Sequence, residues 1–172
     1  MSTLVELREE KDVFFAASPH SPLTHEQQES FRGLSYFEEN PSLRFELAFD
    51  PISPGDTVEM QTSTGDVQVY QRLGKIRFDV EGHDAELTIY VNEHGPFLPF
   101  VDMLAGLETY GAGRYLEPEL LGQGRVRVDF NLAYNPYCAY NDRWSCPITP
   151  MENRLSVPIR AGEKNFHATP RP

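Results

Sequence analysis

Between residues 43 and 130 the chain repeats one pattern: apolar and polar residues alternate with period two. Leu43, Phe45, Leu47 and Phe49 alternate with Arg44, Glu46, Ala48 and Asp50. Val58 and Met60 open a second segment, and Val67 and Val69 follow the turn Thr64-Gly65-Asp66. Ile76, Phe78 and Val80 alternate with Lys75, Arg77 and Asp79, and Ala85, Leu87, Ile89 and Val91 with Glu86, Thr88 and Tyr90. Val126, Val128 and Phe130 continue the series among Arg125, Arg127 and Asp129. Such alternation turns one face of a strand to a core and the other to water. Hairpin-length turns separate most of these strands, and no helix-length segment intervenes, so the strands pair antiparallel and βαβ units are excluded. The pattern predicts a mainly β (α+β) domain, barrel-like or a sandwich, carrying N-terminal helical segments.

The helices are read from capping chemistry. Thr3-Leu4-Val5-Glu6 has capping-box spacing, which predicts a helix from about Leu4 to Ala17 that stops at Ser18-Pro19. Lys11 interrupts its apolar stripe. A second box, Thr24-His25-Glu26-Gln27, starts a short helix ended by Gly33. With 172 residues, 40% of them apolar and eleven phenylalanines, the chain has the means to bury a core. The expected organisation is one domain over residues 1–172. Residues 1–33 form a helical cap, and residues 43–172 form the β domain with a long loop at 131–155.

Charge narrows the partners. The net charge is −11, with twelve arginines, three lysines and twenty-six acids. A nucleic acid or an anionic membrane needs a basic footprint, so neither is expected as a partner. Two causes fit the shortage of lysine: a GC-rich genome, or adaptation to a salt-rich cytoplasm. No window reaches a membrane-spanning run of apolar residues, and the charged start at Glu6–Asp12 lacks the features of a signal peptide. A cytoplasmic protein is expected. Neither a cofactor nor an oligomeric state can be read from these features.

Two segments break the alternation: 96–115, and the stretch 129–164. The second holds both cysteines, the only tryptophan and a run of Asn, Glu, Arg and Lys, and it heads back toward a strand near Val157. Long loops of mixed polar and aromatic residues carry function on β scaffolds. The expected ligand-binding residues are Glu108, Tyr110, Arg114, Asp129, Asn131, Asn135, Cys138, Glu152, Asn153 and Arg154, lining a pocket for a small polar molecule at one end of the sheet. Asparagines offer both donors and an acceptor, and an arginine fork grips a carboxylate or phosphate. The same residues also serve as loop tethers. An enzyme would draw on Glu108 or Glu152 as general base and Arg114 or Arg154 as anion stabiliser; a non-catalytic structural or interaction module is the third class. Trp144, Tyr134, Tyr137 and Tyr140 fit either a pocket wall or a packed lid.

Specific chemistries find little support. Cys138 and Cys146 have seven residues between them, too many for the usual zinc-ligand pair, and no histidine pair completes a site. No metal is expected, and the two thiols are open to a free, a disulfide-bonded or a catalytic state. Glu108 to Arg114 with Gly111 and Gly113 is neither a dinucleotide fingerprint nor a Walker loop. No G-x-S-x-G elbow occurs, and no catalytic residue is assigned.

One ordered motif series resembles a known family. It runs Lys11-Asp12 to Phe15, Ser21-Pro22-Leu23, Phe97-Leu98-Pro99-Phe100, Glu108-Thr109-Tyr110-Gly111 and Gly113-Arg114-Tyr115. It continues through Asp129-Phe130-Asn131, Ala133-Tyr134-Asn135-Pro136, Cys138-Ala139-Tyr140, Cys146-Pro147, Glu152-Asn153-Arg154-Leu155 and Ala161-Gly162-Glu163-Lys164. The series is similar to the uncharacterised prokaryotic family called domain of unknown function 1684. Leu132 stands where that family usually has a basic residue, and Tyr137, Thr149 and Met151 where it usually has prolines. A ligand role for a basic residue at position 132 is therefore not carried over. The resemblance implies one domain and no particular activity.

Overall fold

Glu81 and Gly82 both take positive φ (52° and 83°), as do Gln123 and Gly124 (54° and 71°). Each pair makes the two-residue turn whose twist matches flanking antiparallel strands. The first joins β4 (Val67–Val80) to β5 (His83–Asn92), and the second joins β7 (Glu119–Gly122) to β8 (Arg125–Asp129). The remaining strands are β1 (Arg44–Ala48), β2 (Asp50–Pro51), β3 (Thr57–Gln61) and β6 (Gly95–Phe97). The structure, a computed structural model, describes residues 2–167.

All pairings between these strands are antiparallel, as the alternation predicts. One sheet has the order β1-β8-β7; the other has the order β2-β4-β5-β6, with β3 also on β4. Neither sheet closes on itself, so the architecture is a sandwich rather than a barrel. One core joins the layers: Ile76, Phe78, Leu87 and Ile89 from one sheet meet Val126 and Val128 from the other. Phe45 of β1 lies 5.2 Å from the Phe78 ring, and Phe130 stands edge-on to Phe100 at 5.3 Å. Each such buried side chain contributes about 1.5–3 kcal/mol of burial energy before ordering costs.

Two details depart from the alternation. Val67 and Val69 face outward, at 52% and 59% exposure, while Tyr70 turns inward toward Met60 and Tyr90. The two apparent strands around 67–69 and 75–80 are one strand, β4, with a register shift between Arg72 and Gly74. That shift leaves Leu73 without a partner on β5, as a bulge does.

Helix α1 (Leu4–Ala17) has the predicted bounds, and Thr3 and Glu6 complete its capping box. Helix α2 (His25–Ser30) ends before Gly33, because Phe31 is already extended. The helices seat on the C-terminal half of the chain: Phe15 packs edge-on to Tyr140 at 5.1 Å, and the Gln27 side chain donates to the Tyr140 carbonyl. Neither helix is long and apolar enough to cross a membrane.

Candidate functional site

The segment 155–164 runs extended through the core without joining either sheet. It buries Val157 to Ile159 and Ala161 to Glu163, with only Ser156 and Arg160 exposed. The expected strand near Val157 is thus replaced by a strap. Side chains supply many of its backbone partners. The Arg114 guanidinium, fully buried, donates to the carbonyls of Ile159, Ala161 and Glu163. Those acceptors lie two residues apart, so one planar fork does the work of a neighbouring strand edge. Asp102 stands 3.6 Å from Arg114 and accepts from the Ile159 amide at 2.7 Å. Burial lowers the Arg114 pKa, and Asp102 then Glu163 oppose the shift. At Gly162 the strap passes so close to Ala133 that a Cβ would stand 2.6 Å from its carbonyl oxygen, with φ at +79°.

Asparagines play the same part. The Asn153 carboxamide accepts from the Thr88 amide and donates to the Thr88 carbonyl, each at 2.8 Å, and donates also to Pro99. β6 pairs β5 only at residues 90–92, so Asn153 takes up the backbone edge of Thr88 beyond it. Asn131 accepts from the Asn40 amide and donates to the Asn40 carbonyl and to Asp129. Asn135 donates to the Lys164 carbonyl.

The other expected residues fall in four places. Glu108 is exposed and pairs with Arg160 at 3.2 Å. Glu152 accepts from Arg72 at 2.9 Å and from the Tyr90 hydroxyl. Asp129 pairs with Arg44 at 3.0 Å and caps the turn Phe130–Leu132. Arg154 is exposed on the turn that Asn153 anchors. Only Tyr110 and Cys138 meet, with the hydroxyl 3.8 Å from the thiol sulfur. The ten residues therefore do not line one cavity.

A groove lies beside them. One part, of about 450 Å³, is lined by Lys11, Tyr115, Tyr134, Tyr137, Trp144 and the segment 145–147. A second, of about 260 Å³, shares Tyr115, Tyr134 and Pro147 and extends to Gln68, Tyr70 and Phe97. The rings follow one another: Tyr70 stacks on Phe97 at 5.3 Å, Phe97 meets Tyr115 at 4.8 Å, and Tyr115 meets Tyr134 at 6.1 Å. Tyr137 and Trp144 continue the wall at 5.2 Å. Reciprocal backbone bonds between Tyr115 and Tyr134, 2.8 and 3.0 Å, hold the central pair. The Tyr115 hydroxyl donates to Pro147, and that of Tyr134 to Glu117. Burial raises the pKa of both phenols, and for Tyr134 the Glu117 carboxylate adds to it. Lys11 closes one end: its ammonium is paired with the buried Glu163 carboxylate and lies 5.1 Å from the Tyr134 ring. A larger depression of about 700 Å³ continues along β3 and β4, but mainly exposed side chains line it.

Of the four aromatic residues grouped by sequence, three reach the groove and Tyr140 enters the core around Phe15 instead. Tyr70, Phe97, Tyr115 and Lys11 were not expected there. Lys11 left one trace in the sequence, as the charge that interrupts the apolar stripe of α1. Among the described residues no group of three or more His, Cys, Asp or Glu side chains is placed to hold a metal ion.

Comparison with known proteins gives kinship without chemistry. No curated protein matches the chain. An uncharacterized protein of Haloarcula marismortui, solved by solution NMR, is 36% identical, with a TM-score of 0.70 over 94% of this chain and 91% of that one. The model of the family described as "Protein of unknown function (DUF1684)" matches residues 29–164, a span that holds both sheets, the strap and Arg114, and the chain belongs to that family.

Proposed function

We propose that this protein binds a small, ring-containing polar molecule in the aromatic groove. The observation that carries the reading is the wall of rings, Tyr70 to Tyr134 in contact and then the pair Tyr137 and Trp144, around two adjoining hollows. Hollows of a few hundred Å³ with aromatic walls and few polar groups suit small ligands. Flat ring faces stack on such walls. Lys11 at one end, and Glu117 and Gln68 at the other, supply the polar contacts that orient a ligand. With one lysine already paired to Glu163, the groove favours a neutral or weakly charged molecule over a polyanion. The reading includes a cytoplasmic location, which two free thiols fit.

Trp144 is the only tryptophan and lines the groove, so its emission reports directly on occupancy. A library of heteroaromatic and sugar-like fragments titrated against the protein is expected to give hits that shift Trp144 emission and show saturation transfer from Tyr protons. Tyr134→Ala removes the wall shared by both hollows and is expected to weaken those hits about tenfold or more, a loss of about 1.4 kcal/mol. Hits that bind Tyr134→Ala as well as the native chain, or a library with none, overturn the proposal.

A further inference from the structure

Cys138 and Cys146 are both free thiols, and the Cys146 sulfur meets the backbone of Cys138. The Cys138 amide donates to the Cys146 sulfur at 3.2 Å. One N–Cα bond, about 1.46 Å, separates that amide nitrogen from the Cys138 Cα, so the Cys146 sulfur lies within about 4.7 Å of that Cα. The residues differ in access: Cys138 is half-buried beside the Tyr110 hydroxyl, while Cys146 is buried. Cys146 is also held from its backbone. Its amide donates to Ser63 Oγ, its carbonyl accepts from the Ser63 amide, and Ile148 donates to Gln61. An accessible thiol backed by a sheltered, positioned second thiol is the arrangement that attack and resolution of a disulfide require.

We propose that Cys138 and Cys146 form a dithiol exchange site for low-molecular-weight disulfides of the glutathione type, in which Cys138 attacks and Cys146 resolves. The Cys138 thiolate attacks one sulfur of the small disulfide; its S–S bond breaks, and one thiolate leaves and takes up a proton. Cys146 then loses its proton to solvent and attacks the Cys138 sulfur, expelling the second small thiolate, which is protonated in turn. Two protein thiols are oxidised to one disulfide, and one small disulfide is reduced to two thiols. The ionisation of the pair fits this division. Hydrogen bonds from Cys146 and then Tyr110 outweigh burial and bring the Cys138 thiol down to about 6, whereas the same pairing and burial push Cys146 up. Once Cys138 carries the mixed disulfide, the thiolate that holds the Cys146 proton is gone, and Cys146 is released to ionise. The inference stands on the thiol geometry and does not depend on a ligand in the groove.

The test is native full-length protein incubated with oxidised glutathione, quenched with acid and read by intact mass and peptide mapping. Wild type is expected to lose two hydrogens and keep no glutathione, while Cys146→Ser keeps one glutathione on Cys138. Iodoacetamide alkylation of Cys138 in wild type, followed against pH, is expected to rise through a midpoint near 6, because the thiolate forms as pH increases. It needs no variant and covers the case in which Cys146→Ser fails to fold. A stable glutathione adduct on wild type, first modification at Cys146, thiols that stay unreacted, or an alkylation midpoint at an ordinary thiol value near 8.5 would each overturn the proposal.

Discussion

Strand β5 and the strap at 155–164 both run extended through the interior and both bury most of their central residues, yet their backbones are satisfied by different means. β5 is registered against β4 at nine positions, so along that edge its polar groups meet another backbone, and on the other edge Thr88 relies on a side chain, that of Asn153. The strap meets single backbone groups of Ser35, Phe37, Val101, Met103 and Ala133, and the side chains of Arg114, Asp102 and Asn135. A ladder spreads its hydrogen bonds over many equivalent residues, and no one side chain is essential to them. The strap draws on scattered single partners, and three of its carbonyls depend on one guanidinium. Side-chain identity in β5 is therefore a matter of packing, whereas in the strap it decides whether buried carbonyls have donors at all.

The largest consequence of that contrast is expected at Arg114. Arg114→Met removes the donors for three buried carbonyls and leaves Asp102 without its counter-ion, and a loss of about 3–5 kcal/mol is expected in urea unfolding. Arg114→Lys sharpens the point: an ammonium cannot span acceptors spaced along a strand, so it should restore little. Next comes Asn153→Ala, which strands both polar groups of Thr88 and the Pro99 carbonyl at a cost of about 2–3 kcal/mol. On β5 the matching experiment is Ile89→Val, a buried residue whose ladder bonds survive the change, with an expected loss of about 0.5–1.5 kcal/mol. If Ile89→Val proved as costly as Arg114→Met, the contrast between the two regions would fail. Smallest is Arg44→Ala, which opens a partly exposed pair with Asp129; under about 1 kcal/mol is expected, shrinking as salt is added.

The same division explains what could be read in the residues alone. Period-two alternation is enforced wherever one face of a sheet meets the core, so the strands and their antiparallel pairing followed from Leu43 to Phe130. It misled at Val67 and Val69, where an inward Tyr70 on the opposite phase fills the space between Met60 and Tyr90. Asn131, Asn135, Asn153 and Arg114 stood out as binding residues by type. Their type does not say whose carbonyl they bind, because a ligand and the chain's own backbone present the same acceptor. The groove was half legible: Tyr134, Tyr137 and Trp144 are neighbours in sequence. Tyr70, Phe97 and Tyr115 come from separate segments, and only strand order brings them together.

The contact between Lys11 and Glu163 sets a condition on how the molecule is made. It joins residues 152 positions apart, and the same glutamate accepts from Tyr140 and passes its carbonyl to Arg114. A chain leaving the ribosome N-terminus first has helix α1 and Arg114 available long before their partners exist. Neither can take its final place until the last residues have been synthesised and released. The hairpin of β4 and β5 is free to form while translation continues, but the closed molecule is a product of its completion. A nascent chain halted short of residue 163 should hold hairpins without a strap, and so expose Ile76, Leu87 and Ile89 to any chaperone that waits at the exit.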